Sequence, residues 1–277
     1  MGHLRLASVP FVNAEPLIWG FTRGPYRGVF DVIRVAPPRI PELLRAGEVE
    51  VGLIPSIEYQ RLGDARILPY LCVASKRRAR SVYLASRVPL RRVRRIAVDE
   101  NSRTSVALLK MILAHRGIRE VETIPRAPSL REMLRDSDAA LLIGDAALTT
   151  DTRGLEVRDL AAEWFAITGL PFVFALWAVR PDAVLPDGAR PFLESRKMGI
   201  ANIPAIAREA APRLRLKPAT IEDYLRIDIH YHLASEESRA LDLFFRQARE
   251  LGLVPGRRAI VVHEPSGWEA ARAGRGG

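Results

Sequence analysis

Arg95-Ile96-Ala97-Val98 is followed by the polar loop Asp99-Glu100-Asn101-Ser102-Arg103. After it comes Thr104-Ser105-Val106-Ala107-Leu108-Leu109-Lys110-Met111-Ile112-Leu113-Ala114-His115-Arg116, closed by Gly117. The first four residues read as a strand. In the last stretch Val106, Leu109, Ile112 and Leu113 share one face at helical spacing, and glycine is the usual residue just past a helix end. Strand, loop and amphipathic helix make one αβ unit, and it is a second beginning. Before it the chain reads as strand 4–9, helix 14–21, strand 30–35, helix 41–46, strand 49–54 and a helix from Ser56 to Arg61, then strands 66–74 and 81–85. Such alternation predicts an α/β fold of parallel-rich sheets flanked by helices. A restart at Arg95 predicts two of them.

The second unit continues with strands 121–124 and 139–143, the latter an apolar run stopped by Gly144-Asp145. Ser129 and Glu132 between them have the spacing of a capping box. Helix 160–167 and the charge-free strand 172–179 follow, and the remainder reads as helices 191–199, 203–214, 220–226 and 236–251. These helices are too poor in strands to build a sheet alone. The expected division is therefore lobe one, residues 1–85 and 180–277, and lobe two, residues 86–179, with hinge strands at both of its ends. The Ala-, Arg- and Gly-rich tail from Gly267 is expected to fray. Ligands of open α/β sheets sit at the carboxyl ends of the strands, which places the expected site in a cleft between the lobes.

Composition narrows the function. The 277 residues are 48% hydrophobic, enough for a full core, and one cysteine, Cys72, excludes a disulfide framework. No apolar run reaches the roughly 20 residues of a membrane span, and no secretory signal is visible at the N-terminus, so a cytoplasmic protein without a membrane partner is expected. The net charge is +10, carried almost wholly by arginine, since Lys76, Lys110, Lys197 and Lys217 are the only lysines. The densest basic stretch, residues 76–95, holds one aromatic, Tyr83, and no recognition helix, so nucleic acid is not expected. A positive field does suit small anionic substrates.

No G-x-G-x-x-G, Walker or G-x-S-x-G motif is present. His230 and His232, with Glu236 and Glu237 close behind, offer two metal ligands and no clear third, so no metal and no cofactor are expected. More telling is the recurrence of small polar residues just after strands. Asn13 follows the first strand, Ser56 the third, Ser102, Thr104 and Ser105 the strand at Arg95, and Gly144 and Asp145 the strand 139–143. Each falls where the amides of a helix start are free, and such places hold carboxylates without a metal. Each is also a place for an ordinary helix cap, and Ser56 in particular is positioned to cap its helix. Ser81, at the crossover strand, is a further candidate. Glu58 and Asp145 are the nearest plausible protein bases; Glu58 is expected to be exposed on its helix and structural.

Five phrases then fall in a recognisable order: Val9-Pro10-Phe11-Val12-Asn13-Ala14-Glu15-Pro16-Leu17, Gly52-Leu53-Ile54-Pro55-Ser56-Ile57-Glu58-Tyr59, Ser102-Arg103-Thr104-Ser105-Val106, Leu142-Ile143-Gly144-Asp145, and Thr168-Gly169-Leu170-Pro171-Phe172-Val173-Phe174. Over about residues 4–252 the chain resembles the chorismate dehydratase family of the futalosine route to menaquinone. The resemblance implies a two-lobed type II periplasmic-binding-protein fold used as a cytoplasmic, cofactor-free lyase. It implies Asn13 as the key active-site residue, with the substrate's own enolpyruvyl carboxylate as the proposed base. It further implies a small dicarboxylate, chorismate, as partner, held by Ser56, Ser102, Thr104 and Ser105, with Ser81, Gly144 and Asp145 lining the pocket. An unsecreted solute-binding protein, or the sister enzyme that releases dihydroxynaphthoate, would share the fold. Glu15, beside Asn13, would repel a dianion and is expected to point away. Dehydration by such a site should be indifferent to EDTA. Activity that disappears with the chelator and returns with a divalent ion would contradict this.

Overall fold

The computed structural model describes residues 4–185, 187–256 and 258–263; the tail from Gly267 lies outside the described residues. Ten strands alternate with helices: β1 (Leu4–Ser8), β2 (Phe30–Arg34), β3 (Val51–Pro55), β4 (Arg66–Ser75), β5 (Val82–Ser86), β6 (Arg95–Asp99), β7 (Glu122–Arg126), β8 (Ala139–Ile143), β9 (Glu156–Asp159) and β10 (Phe172–Val179). They form two sheets that share no strand, β2-β1-β3-β10-β4 and β7-β6-β8-β5-β9. In each, three parallel strands are followed by one antiparallel strand and an edge strand. The sheets are thus mixed. The antiparallel member is, in both cases, the strand that follows a passage of the chain from one sheet to the other.

This moves both expected boundaries. β5, which a division after residue 85 would cut, lies entirely in the second sheet between β8 and β9. β10, expected as a strand of lobe two, lies in the first sheet, with Leu176 opposite Ile54 on β3 and Cys72 on β4. The physical reason is burial. Both strands are apolar and mostly buried, and the internal position pairs the backbone on both of their edges while their side chains enter the core. The passages between lobes are therefore residues 76–81 and 169–171.

Several local expectations change too. β9 is charged at three of its four positions, Glu156, Arg158 and Asp159, and lacks an apolar run; it forms as an edge strand paired with β5 alone. The Ser129 side chain makes no cap bond and Glu132 pairs with Arg135 instead, because only one helical turn, Leu130–Met133, follows. Helix 220–226 is a turn of α-helix, Pro218–Asp223, that widens into a π-turn, Tyr224–Asp228. Near His230 the chain meets the first sheet through one bridge, between His230 and Ala74.

The C-terminal helices cover the first sheet. Helix Arg190–Ala201 lies against helix Glu15–Thr22, and a side chain at Gly199 would collide with the Pro16 carbonyl at 2.0 Å, so that crossing requires glycine. Helix Ser235–Glu250 packs on β10 through Phe244, whose ring stands 5.1 Å from Phe172 and 6.4 Å from Trp164 of the second lobe. The main hydrophobic core consequently runs through both lobes. No described helix is long and apolar enough to cross a membrane.

The passage at 76–81 is gripped from both sides. The buried Asp228 carboxylate accepts from Arg78 Nε at 2.9 Å and from Arg80 Nε. From lobe two, Asp159 accepts from the amides of Ala79 (2.9 Å) and Arg80 (2.7 Å) while capping helix Leu160–Thr168 through Ala161 and Ala162. Burial raises the Asp159 carboxyl above its usual range, against the pull of those four amides. Arg80 itself is held at φ +54°, a left-handed conformation that costs a non-glycine residue energy. Asp228→Ala should lower unfolding stability by about 2 kcal/mol, the scale of lost charged hydrogen bonds with partly exposed partners. An unchanged urea midpoint would show that the passage is not held by Asp228.

Candidate functional site

The loops after β1, β3, β6 and β8 converge on one cavity, at the carboxyl ends of the parallel strands of both sheets. Its wall includes the apolar residues Val9, Phe11, Leu53, Val73, Phe174 and Ile229 and the polar turn Asn101, Ser102, Arg103, Thr104 and Ser105, with Asn13 and Ser81. Among the residues lining this cavity, Arg103 alone has a titratable side chain.

The polar turn is built by Asp99. This buried carboxylate ends β6 and accepts from the Asn101 amide at 2.9 Å and the Asn101 side chain at 3.1 Å, while the Asp99 carbonyl takes the Ser102 amide. Burial raises its pKa, and the Asn101 bonds draw it part of the way back. The turn then feeds helix Thr104–His115, whose N-terminal residue Arg103 makes no side-chain cap. Its first amides are thus free for an anion. Among the described residues the buried Ser102 hydroxyl has no hydrogen-bond partner. Thr104 Oγ1 accepts from the Ile57 amide across the cleft at 3.2 Å, joining the two lobes.

Asn13 sits in a short 3-10 turn, Val12–Ala14, just past β1. Its amide nitrogen donates to the Tyr224 hydroxyl at 3.1 Å, and that hydroxyl donates to Ser81 Oγ at 2.8 Å. Burial pushes the Tyr224 phenol far above its ordinary pKa, against the pull of Ser81 and Asn13, so it stays a neutral donor and acceptor. Among the described residues only one N–H of the Asn13 side-chain amide is engaged, so its second N–H and its carbonyl oxygen are both open to a ligand. Tyr224 was not singled out in the sequence. It lies 211 positions from Asn13 with no motif around it, so only the folded chain reveals it.

The other candidates divide. Ser81, Ser102, Thr104, Ser105 and Gly144 line the cavity with Asn13, whereas Ser56 and Asp145 do not. The Ser56 hydroxyl is buried and donates to the Val173 carbonyl on β10 at 2.6 Å; it neither caps its turn nor faces a ligand. Asp145 reaches from the second lobe to the first, accepting from the Val12 amide at 3.0 Å and from Arg213 at 2.6 Å. Gly144, at φ +59°, lets its backbone lie against the Phe11 ring, which a Cβ would meet at 3.0 Å. Gly144 and Asp145 therefore grip the segment that presents Asn13. Glu58 is buried at 2% exposure, not exposed, because Arg61 binds it and Arg45 and Arg103 stand at 3.8 and 3.7 Å. Glu15 pairs with Arg34 at 3.1 Å and does not line the cavity.

His230 is bound to Glu237 at 2.9 Å and His232 to Arg196 at 3.1 Å. Burial holds His230 below the usual imidazole pKa, although Glu237 opposes it. Among the described residues no three His, Cys, Asp or Glu side chains come together as a metal cage.

Residues 4–250 match the family described as menaquinone biosynthesis. The chain belongs to that family. A relative from Thermus thermophilus, a chorismate dehydratase, is 33% identical over 243 residues, which is 81% of this chain and 88% of the relative. Among solved structures, a protein of Archaeoglobus fulgidus superposes with a TM-score of 0.72 at 22% identity, over 91% of this chain and 98% of its own. The periplasmic aliphatic sulphonate binding protein SsuA of Escherichia coli gives 0.64 at 15% identity, over 95% and 92%. These two likenesses establish a periplasmic-binding-protein-like fold. Within this family member, Tyr224→Phe should strand both the Asn13 amide and Ser81 and lower stability by about 1–3 kcal/mol. Chemical denaturation measures it; an unaltered midpoint would mean that the chain of three side chains is not formed in solution.

Proposed function

We propose that this protein is a chorismate dehydratase that eliminates water from chorismate to give 3-[(1-carboxyvinyl)oxy]benzoate, acting in the cytoplasm on the futalosine route to menaquinone. The observation that carries this reading is a cavity with an anion-holding turn, an asparagine and no protein base, in a chain one-third identical to a chorismate dehydratase. Chorismate is a dianion whose ring becomes aromatic when the hydrogen beside the ether and the neighbouring hydroxyl depart. That driving force reduces the need for a strong protein base or a Lewis acid. Fixed geometry and exclusion of water supply the rest.

No residue lining the cavity offers a carboxylate, imidazole or amine to take a proton, which supports the substrate's own enolpyruvyl carboxylate as the base, as the resemblance implies. The enolpyruvyl carboxylate reaches the departing hydrogen through a six-membered ring of atoms. The ring carboxylate, fixed to the far side of the ring, does not. The protein's task is to hold that conformer. Residues 102–105 receive a carboxylate, and the apolar wall excludes water. Asn13, with one N–H anchored on Tyr224, turns its second N–H to the leaving hydroxyl or the charge developing there. Asp145 closes the second lobe on the Asn13 segment. Ser56 supports the wall through β10.

A second reading, a binding protein that holds chorismate unchanged, is favoured by the likeness to SsuA. Purified protein mixed with chorismate separates the two: appearance of the aromatic product supports the dehydratase, and tight binding without product supports the binder. Asn13→Asp should lower kcat by roughly 10²–10³-fold, the range for lost oxyanion-type donors, and raise KM by repelling the dianion. Asn13→Ala should lose rate with less effect on KM. A folded Asn13→Ala protein with normal kcat would remove Asn13 from the chemistry.

A further inference from the structure

We propose that a second cavity, lined by Arg196, Lys197, Arg226 and His232, binds an organic phosphate monoester, and that its occupant acts on the catalytic cavity through the π-turn Tyr224–Asp228. The binding does not depend on which reaction the catalytic cavity performs.

This cavity is open and holds about 480 Å³. Its cations are Arg196 and Lys197 of helix Arg190–Ala201 and Arg226 of the π-turn; its apolar residues are Ile200, Ile203, Leu225 and Ile229. No aspartate or glutamate is among the residues that line it. Nor does any of the three cations form an ion pair among the described residues. The acids closest to hand are taken: Glu237 binds His230, and Glu194, whose charge Lys197 feels, is held by Tyr26 and Arg190.

Arg196 is held in place by one corner of its guanidinium. Nη1 donates to the Tyr70 carbonyl at 2.6 Å and to His232 Nδ1 at 3.1 Å, with the Tyr231 carbonyl at 3.4 Å. Among the described residues Nε and Nη2 donate no hydrogen bond. Those two nitrogens form an edge that can grip two oxygens of an anion in parallel. Acceptance at Nδ1 leaves the His232 proton on Nε2, a further donor. The Tyr70 ring stacks on His232, with centroids 6.0 Å apart. Tyr70 lies where β4 shifts register against β10, at φ +61°. Register shifts and left-handed non-glycine residues both cost energy and gather at functional sites. Burial also lowers the Arg196 pKa, and no carboxylate offsets that cost.

The charge balance selects the ligand. Three cations without an acid suit a dianionic head better than a single carboxylate. Four aliphatic side chains suit an organic body better than bare phosphate. The site also adjoins the chemistry. Ile229 lines both cavities. Leu225 and Arg226 lie within the turn, between Tyr224, which binds Asn13, and Asp228, which fastens the passage between lobes. A ligand that favours one arrangement of this turn shifts its population accordingly.

The probe is phenyl phosphate, titrated calorimetrically in phosphate-free buffer beside inorganic phosphate and benzoate. Phenyl phosphate should bind most tightly. Arg196→Gln should raise its Kd by roughly 10–100-fold, the scale of a lost charge-assisted pair, and Arg196→Lys should retain part of the affinity. Lys197→Ala combined with Arg226→Ala, both exposed positions, should weaken it as well without endangering the fold. Asn13→Ala should bind it like the wild type. With chorismate saturating, phenyl phosphate should shift kcat by at least about 2-fold. Unchanged affinity in both the Arg196→Gln and the double variant, or affinity lost in Asn13→Ala, would overturn the site. Inorganic phosphate or benzoate binding as tightly would overturn the monoester. An unaltered kcat, or purely competitive inhibition, would overturn the action on the catalytic cavity. A protein that binds phenyl phosphate through Arg196 yet makes no aromatic product would overturn the dehydratase reading and leave this site standing.

Discussion

The π-turn Tyr224–Asp228 does two jobs four residues apart. At one end Asp228 fastens the passage between lobes by binding Arg78 and Arg80. At the other, Tyr224 links Asn13 of the first lobe to Ser81, where the second lobe begins. Neither contact is independent of the other. A wider helical turn sets the tyrosine and the aspartate on different azimuths from those of an α-helix, and such turns are frequent at functional sites. Asp159 answers from the opposite side, so the passage is a clamped segment and not a linker. The position of Asn13 relative to the polar turn at 102–105 depends on that clamp, and on the grip of Gly144 and Asp145 on Phe11 and Val12.

What could be read from the sequence follows from the range of the forces involved. The starts of β1, β3, β6 and β8 were legible because each is a compact apolar run, and the residues after them were legible as site candidates because helix starts leave amides free. Four of those candidates, together with Asn13 and with Ser81 from the crossover, meet at one cavity. Ser56 and Asp145 do not, for a reason no local pattern encodes: their partners, Val173 and Val12, lie 117 and 133 positions away. The same holds for Tyr224. Which sheet an apolar strand joins is equally non-local: β5 and β10 are legible as strands, but the sheets they enter are set by partners far away in sequence. Arg103 was visible inside its phrase, yet its significance is a matter of stoichiometry. It becomes distinctive only when three arginines are found around one buried glutamate.

The arginine excess is also better understood in the fold. Much of it is absorbed by carboxylates that each bind more than one guanidinium: Asp228 holds Arg78 and Arg80, Glu163 holds Arg116 and Arg158, and Glu15 holds Arg34 and Arg23. The cavity receives a single one of these charges. A site whose chemistry is carried by its ligand gains from such restraint, since every additional ionisable group near the substrate would perturb the ligand's own acid–base behaviour.

The placement of β10 between β3 and β4 has a consequence for synthesis. When the first 75 residues leave the ribosome, β3 and β4 have no strand between them, and the chain must complete another entire sheet before residues 172–179 arrive to fill the gap. Until then two apolar strands present unpaired edges, the feature that invites pairing with other chains. The fold therefore has an obligatory waiting period during translation, in which the first sheet stays incomplete. The second sheet, whose antiparallel strand β5 is made before its neighbours, has no such delay.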